Sequence, residues 1–144
     1  MGNLDPNNIH DRVLYVQDIY NFTDRFPAAF ERFVLPLAAY DENGMMVRAN
    51  NKFRRLTGLK EDDIQNHNAN IFDYLNSENK GIAGAARQAF HDEEVILQNL
   101  VCPLCPCIEA DKKEISKFKN AVFFPMARGH ECIICGGVLF MFDA

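Results

Sequence analysis

Leu35-Pro36-Leu37-Ala38-Ala39-Tyr40-Asp41-Glu42-Asn43-Gly44-Met45-Met46-Val47-Arg48-Ala49-Asn50 is an apolar run, an Asp-x-x-Gly turn and a second run ending in Asn. Asp and Asn bond their own main chain, and Gly accepts positive φ, so the stretch predicts a tight β-hairpin. The residues that follow, Asn51-Lys52-Phe53-Arg54-Arg55-Leu56-Thr57-Gly58, read as a helix. It starts directly from the second strand.

Upstream, Asp5-Pro6 reads as a helix start, a capping side chain followed by Pro at the first helical position. Ile9, Val13, Val16 and Tyr20 recur at spacings of four, three and four, an apolar seam on a helix of about four turns. Such a seam either packs on its own domain or joins two copies of the chain. Phe26-Pro27 breaks this helix, and Pro27 to Val34 reads as a short second one. Residues 1–32 are therefore expected to form an N-terminal amphipathic helical segment, and 33–144 the domain proper.

Downstream, Lys60 to Ile64 is a charged helical turn and Asn70 to Leu75 another short helix. Lys80 to His91 reads as a longer helix, whose Gly81, Ala83, Gly84, Ala85 and Ala86 permit close approach to a neighbour. Strands are expected over Glu94–Cys102, Ser116–Met126 and Cys132–Phe142. Arg128-Gly129-His130-Glu131 forms the turn between the last two.

The order Asp-x-x-Gly, Asn50, then Leu56-Thr57-Gly58 resembles the opening of a PAS domain. The end of the chain, Phe123-Phe124-Pro125 followed by Gly136-Gly137 and a run closing on Asp143, is similar to the end of one. The resemblance spans roughly Phe33 to Asp143. It implies an α+β fold, a five-stranded antiparallel sheet with helices on one face. It also implies a sensory or regulatory module of a larger signalling protein, such as a sensor kinase or a cyclic-dinucleotide enzyme. A ligand cavity in that fold would be lined by Leu37, Ala39, Phe53, Ile71, Leu75, Ile82, Ala86, Phe90, Leu97 and Phe140. The same residues would form the core of an empty domain. None of them is charged, which points to an apolar ligand or none. The Ile9, Val13, Val16 and Tyr20 helix would be the means of homodimerisation.

Composition narrows the function further. The chain has 144 residues, 48% hydrophobic and 24% charged, with a net charge of −5. Its basic residues are scattered, which argues against a nucleic-acid surface. No apolar run approaches the roughly 18 residues of a membrane span, and the N-terminus lacks the pattern of a secretory signal. Five cysteines without such a signal lead to the expectation of a cytosolic protein with reduced thiols. There is no phosphate-binding Gly loop and no Gly-x-Ser-x-Gly elbow, so no enzyme is expected. His10, His67 and His130 read as solvated. His91 closes a helix, where a cation suits the dipole. Haem-binding relatives use a His from that region, but the residues around His91 do not match theirs. The flavin-reactive Cys of light-sensing relatives has no counterpart in Asn68-Ala69-Asn70-Ile71-Phe72.

Cys102-Pro103-Leu104-Cys105-Pro106-Cys107 and Cys132-Ile133-Ile134-Cys135 hold two Cys-x-x-Cys pairs. Thiolates at that spacing can grip zinc or an iron–sulfur cluster. An antiparallel meander would set Cys102 and Cys132 at opposite ends of a strand, roughly 30 Å apart for about ten residues. One metal cannot then be shared between the pairs. Cys132 and Cys135 read as small core residues, while Cys102, Cys105 and Cys107 remain candidates for a metal, a haem or a thiol switch. Three functions stay open: a ligand sensor of unknown cofactor, a cysteine-based metal, haem or redox sensor, and a pure dimerisation module.

Overall fold

The computed structural model describes residues 27–91, 93–105, 109–128 and 133–142. Among these, the chain runs α1 (Pro27–Arg32), β1 (Leu37–Asp41), β2 (Met46–Ala49), α2 (Asn51–Thr57), α3 (Glu61–Gln65), α4 (Ile82–Gln88), β3 (Val95–Leu97), α5 (Glu109–Ile115), β4 (Asn120–Arg128) and β5 (Ile133–Phe142). Short 3-10 turns cover Ile71–Asp73 and Ala89–His91. The five strands form one antiparallel sheet in the order β2-β1-β5-β4-β3. The Ile9, Val13, Val16 and Tyr20 seam lies outside the described residues.

The hairpin forms as its residues demand. Asp41 Oδ1 accepts from the N–H groups of Asn43 and Met45, both at 2.9 Å, and Gly44 turns the chain at φ 81°. The turn is then pinned from outside. Ile71 N–H donates to the Gly44 carbonyl at 2.7 Å, and Asn70 Nδ2 donates to the Asn43 carbonyl at 3.1 Å. At the far end, Asn50 caps α2 by accepting from Phe53 N–H. The Leu-Thr-Gly close of α2 has equally plain causes. Leu56 is buried, and Thr57 Oγ1 donates to the Phe53 carbonyl at 2.8 Å. Gly58 takes the left-handed cap at φ 77°.

Strand alternation splits the apolar residues into two layers. Ala38, Tyr40, Ala121, Phe123, Leu139 and Met141 face α2, α4 and the connecting turns. Leu37, Ala39, Val122, Phe124, Val138 and Phe142 face the other way, where Phe30 of α1 joins them. The expectation of helices on one face therefore holds for α2 to α5, while α1 seats its buried Phe on the opposite face.

The second half departs from the expected boundaries. β3 is only Val95–Leu97, so Cys102 does not end a strand. It sits in a bend with φ 43°. Ser116 does not open a strand either, because α5 occupies Glu109–Ile115 and buries Ile115. The Glu109–Ile115 run has one buried apolar anchor, Ile115, among its charges, a pattern too short to stand out by periodicity.

α2 holds three neighbours by charge. Arg54 pairs with Glu31 of α1 and with Glu61 of α3, while Lys52 and Arg55 both reach Glu114 of α5. The hydrogen bond from Lys52, aided by nearby Arg55 and Lys117, holds the Glu114 carboxyl below its ordinary range against a smaller opposing effect of burial. A carboxyl lowered in the folded state stabilises above its unfolded pKa, and that stability is lost as pH falls through the folded value. The pair is partly exposed, so its worth is small, about 0.2–1 kcal/mol. Lys52→Met should therefore return the Glu114 midpoint, followed by carboxyl NMR, toward its ordinary range. An unmoved midpoint would show that the pair does not persist in solution.

Candidate functional site

The candidate site is the interior between the sheet and the helices that cover it. Phe53, Ile71, Leu75, Ile82 and Ala86 are buried there together, and Phe90 and Leu97 pack against them. Leu37 and Ala39 are not part of this interior. The two-residue period of β1 turns them to the opposite layer with Phe30 and Val138. Phe140 is the register partner of Leu37, and its side chain lies outside what the structure describes. Among the described residues the buried polar side chains are Asn50, Thr57, Asn79 and Asn120, all uncharged, so this interior holds no formal charge.

One residue gives the interior a polar point. Tyr40 is fully buried, and its hydroxyl donates to the Ala86 carbonyl of α4 at 3.0 Å. Burial pushes its phenol well above the ordinary range, so it is a neutral donor at any physiological pH. The ring lies against Gly137 on β5, where an added Cβ would come within 2.6 Å of the hydroxyl oxygen and 2.9 Å of the Ala89 Cβ. Phe90 meets the ring edge-on, with centroids 5.6 Å apart. The sequence reading overlooked Tyr40. Its signal was a Tyr in an alternating strand together with a Gly pair, Gly136-Gly137, that leaves a ring room to lie across the neighbouring strand.

The cysteine loop stands at the edge of this interior. Leu104 is buried in it and bridges to Leu75. Two asparagines hold the loop down. Asn76 Nδ2 donates to the Cys102 carbonyl at 2.8 Å. Asn79 accepts from Val101 N–H at 2.7 Å and donates to the Val101 carbonyl at 2.9 Å. Cys102 and Cys105 are half-buried free thiols. Cys105 contacts the Asp73 carbonyl at 3.4 Å, and burial, with Asp73 nearby, pushes its thiol up. That environment disfavours the thiolate a metal needs. Cys107 and Cys132 lie outside the described residues. Among the described residues no three Cys, His, Asp or Glu gather closely enough to hold a metal ion.

The ends of β4 bear on the sharing of one metal. Leu100 N–H bonds the Lys119 carbonyl beside the start of β4, while Ile133 pairs with Arg128 at its end. A strand of nine residues separates these points by about 30 Å. His67 and His91 are both exposed. No helix among the described residues is long and apolar enough to cross a membrane.

An antiparallel sheet in the order β2-β1-β5-β4-β3, cupped on one side by short helices, is a PAS arrangement, and solved structures agree. The PAS domain of histidine kinase ThkA superposes with a TM-score of 0.51 at 18% identity, covering 76% of this chain and 100% of that one. The PAS domain of an HTR-like protein from Haloarcula marismortui gives 0.53 at 12% identity, covering 90% and 98%. VqmA of Vibrio cholerae gives 0.56 at 17% identity, covering 83% of this chain and 52% of that one. No family model and no curated protein matches the sequence. The chain has the fold of a PAS domain.

Proposed function

We propose that this chain is a sensory PAS module that receives a small neutral molecule in its helix-side interior and relays that event to an output domain. The observation that carries this reading is the interior itself. Phe53, Ile71, Leu75, Ile82 and Ala86 share one buried cluster with the Tyr40 phenol, and no charged side chain is buried among the described residues. Such a lining favours an apolar body over an ion, because burying an unpaired charge is far costlier. Fold neighbours support the class. One VqmA structure is bound to DPO and a Cycle PAS-B structure holds ethylene glycol. Native mass spectrometry of the purified chain should show a species heavier by one small molecule. A bare mass only, with no melting shift across a set of small apolar compounds, would overturn the reading in favour of a pure interaction module.

Dimerisation through Ile9, Val13, Val16 and Tyr20 belongs to the same proposal. Phe30, in the helix that follows the seam in sequence, seats on the outer sheet layer. A VqmA dimer is among the fold neighbours. Val13→Glu with Val16→Glu should give folded monomers in sedimentation. A wild-type chain that sediments as a monomer at high concentration ends the idea. A metal at Cys102, Cys105 and Cys107 is the second reading, motivated by the thiol spacing in the sequence and set against the raised thiol of Cys105. Elemental analysis and a thiol count test it.

A further inference from the structure

We propose that Asn43-Gly44, in the turn between β1 and β2, is a self-modification site. The Asn43 side-chain amide closes on the next main-chain nitrogen, loses ammonia and ends chiefly as isoaspartate, at a rate set by how often the Asp41 turn opens.

The sequence supplies the chemistry. Asn43 is the one Asn of the chain that Gly follows, and the absent side chain leaves the next nitrogen unhindered. That nitrogen attacks Asn43 Cγ and a cyclic succinimide forms. The Cγ–Nδ2 bond breaks, and Nδ2 departs as ammonia with the proton that Gly44 gave up. Water then opens the ring. Addition at Cγ leaves Asp, while addition at the main-chain carbonyl leaves isoaspartate, with the chain rerouted through Cβ and Cγ. Nothing is oxidised or reduced, and water is the only co-reactant.

The structure supplies the access and the gate. Asn43 is exposed, and its side chain makes no hydrogen bond among the described residues. The side-chain amides of Asn50, Asn70, Asn76 and Asn79 are all engaged. The nucleophile is held back, because Gly44 N–H donates to the Asp41 carbonyl at 2.9 Å. Asp41 Oδ1, which accepts from the Asn43 and Met45 N–H groups, keeps the turn closed. A reaction confined to the open form proceeds in proportion to its population.

The product does not fit the closed turn. Isoaspartate lengthens the main chain, and it turns the Asn43 carbonyl that Asn70 Nδ2 holds into a free carboxylate. Gly44 has no room to absorb the extra length. Phe72 and Asn70 Oδ1 lie 2.7 and 2.9 Å from where a Cβ on Gly44 would stand. Conversion therefore releases the hairpin from Ile71, whose N–H bonds the Gly44 carbonyl.

The test is incubation of the folded full chain in mildly alkaline buffer, with peptide mapping by mass spectrometry that separates isoaspartate from Asp. Wild type, Asp41→Ala, Asn43→Gln and urea-unfolded wild type are compared. The Asn43 peptide should gain the mass difference between amide and acid, mostly as isoaspartate, and the Ile71 amide signal should shift in the product. Asp41→Ala should convert about fivefold faster than wild type, because the open form gains that much population. The unfolded chain should be faster still. Asn43→Gln should stay unmodified there, since its longer side chain closes far less readily. Should Asp41→Ala not fold, Asn70→Ala decides: it frees the Asn43 carbonyl and should also speed conversion. Equal rates in wild type and the folded variants would overturn the proposal. So would conversion of the unfolded chain with none in Asp41→Ala or Asn70→Ala, or conversion at Asn76 before Asn43.

Discussion

Asn50→Ala should cost about 4 kcal/mol of stability or prevent folding outright, because one side chain serves four backbone groups. Its Oδ1 accepts from Leu37 N–H at 3.1 Å and Phe53 N–H at 3.0 Å. Its Nδ2 donates to the carbonyls of Phe33 at 3.2 Å and Leu35 at 2.8 Å. The residue is fully buried, so water cannot replace it. An N-cap alone would be worth about 0.5–2 kcal/mol. The excess comes from tying the approach to β1, the start of β1 and the start of α2 through one amide. Asn50→Asp keeps the acceptor but sets a carboxylate against two carbonyls, so it should also fall well below wild type in urea unfolding. Asp41→Ala, which frees two turn N–H groups nearer the surface, should cost only about 1 kcal/mol. An Asn50→Ala protein within 1 kcal/mol of wild type, on the scale typical of such bonds, would refute this account.

Gly136→Ala should be the most damaging glycine change, with a loss above about 3 kcal/mol. A Cβ there would collide with the Tyr40 carbonyl oxygen and lie 2.9 Å from the Asp41 Cα. Both are backbone, in the strand that pairs residue by residue with β5: Tyr40 with Gly137 and Asp41 with Gly136. Relief therefore requires β1 and β5 to part. Thermal melting should fall sharply, and amide exchange at Tyr40 and Asp41 should accelerate. Gly84→Ala is the control. It lies inside α4 with nothing within 4 Å of the new methyl, so it should stabilise by about 0.4–1 kcal/mol. If Gly136→Ala melts as the wild type does, the close approach of the two strands does not exist in solution.

Local chemistry made the first half of the fold readable. Asp41, Gly44 and Asn50 each act on backbone groups near them in sequence, and the Thr57-Gly58 close of α2 needs no distant partner. The second half was less legible because its order comes from remote residues. The 101–105 loop is shaped by Asn76 and Asn79, more than twenty positions earlier, so a strand pattern over Glu94–Cys102 had nothing local to contradict it. α5 is held by Glu114 reaching Lys52 and Arg55, and by Ile115 entering a core built elsewhere. The site was partly legible for the same reason. Phe53, Ile71, Leu75, Ile82 and Ala86 read as apolar face residues and share the interior. Leu37 and Ala39 read no differently, because alternation says which residues share a face but not which face meets the helices.

The amino-acid order by itself determined the hairpin, the helix that leaves it and the existence of two alternating apolar layers, since turn preference, capping and strand period act within a few residues. Only the tertiary structure decided which layer faces the helices and how short β3 is. It alone set the Tyr40 ring across Gly137 with its hydroxyl on Ala86, a bond spanning 46 positions. Those outcomes depend on which distant groups can satisfy one another once water is gone, and that is settled by packing rather than by neighbours along the chain.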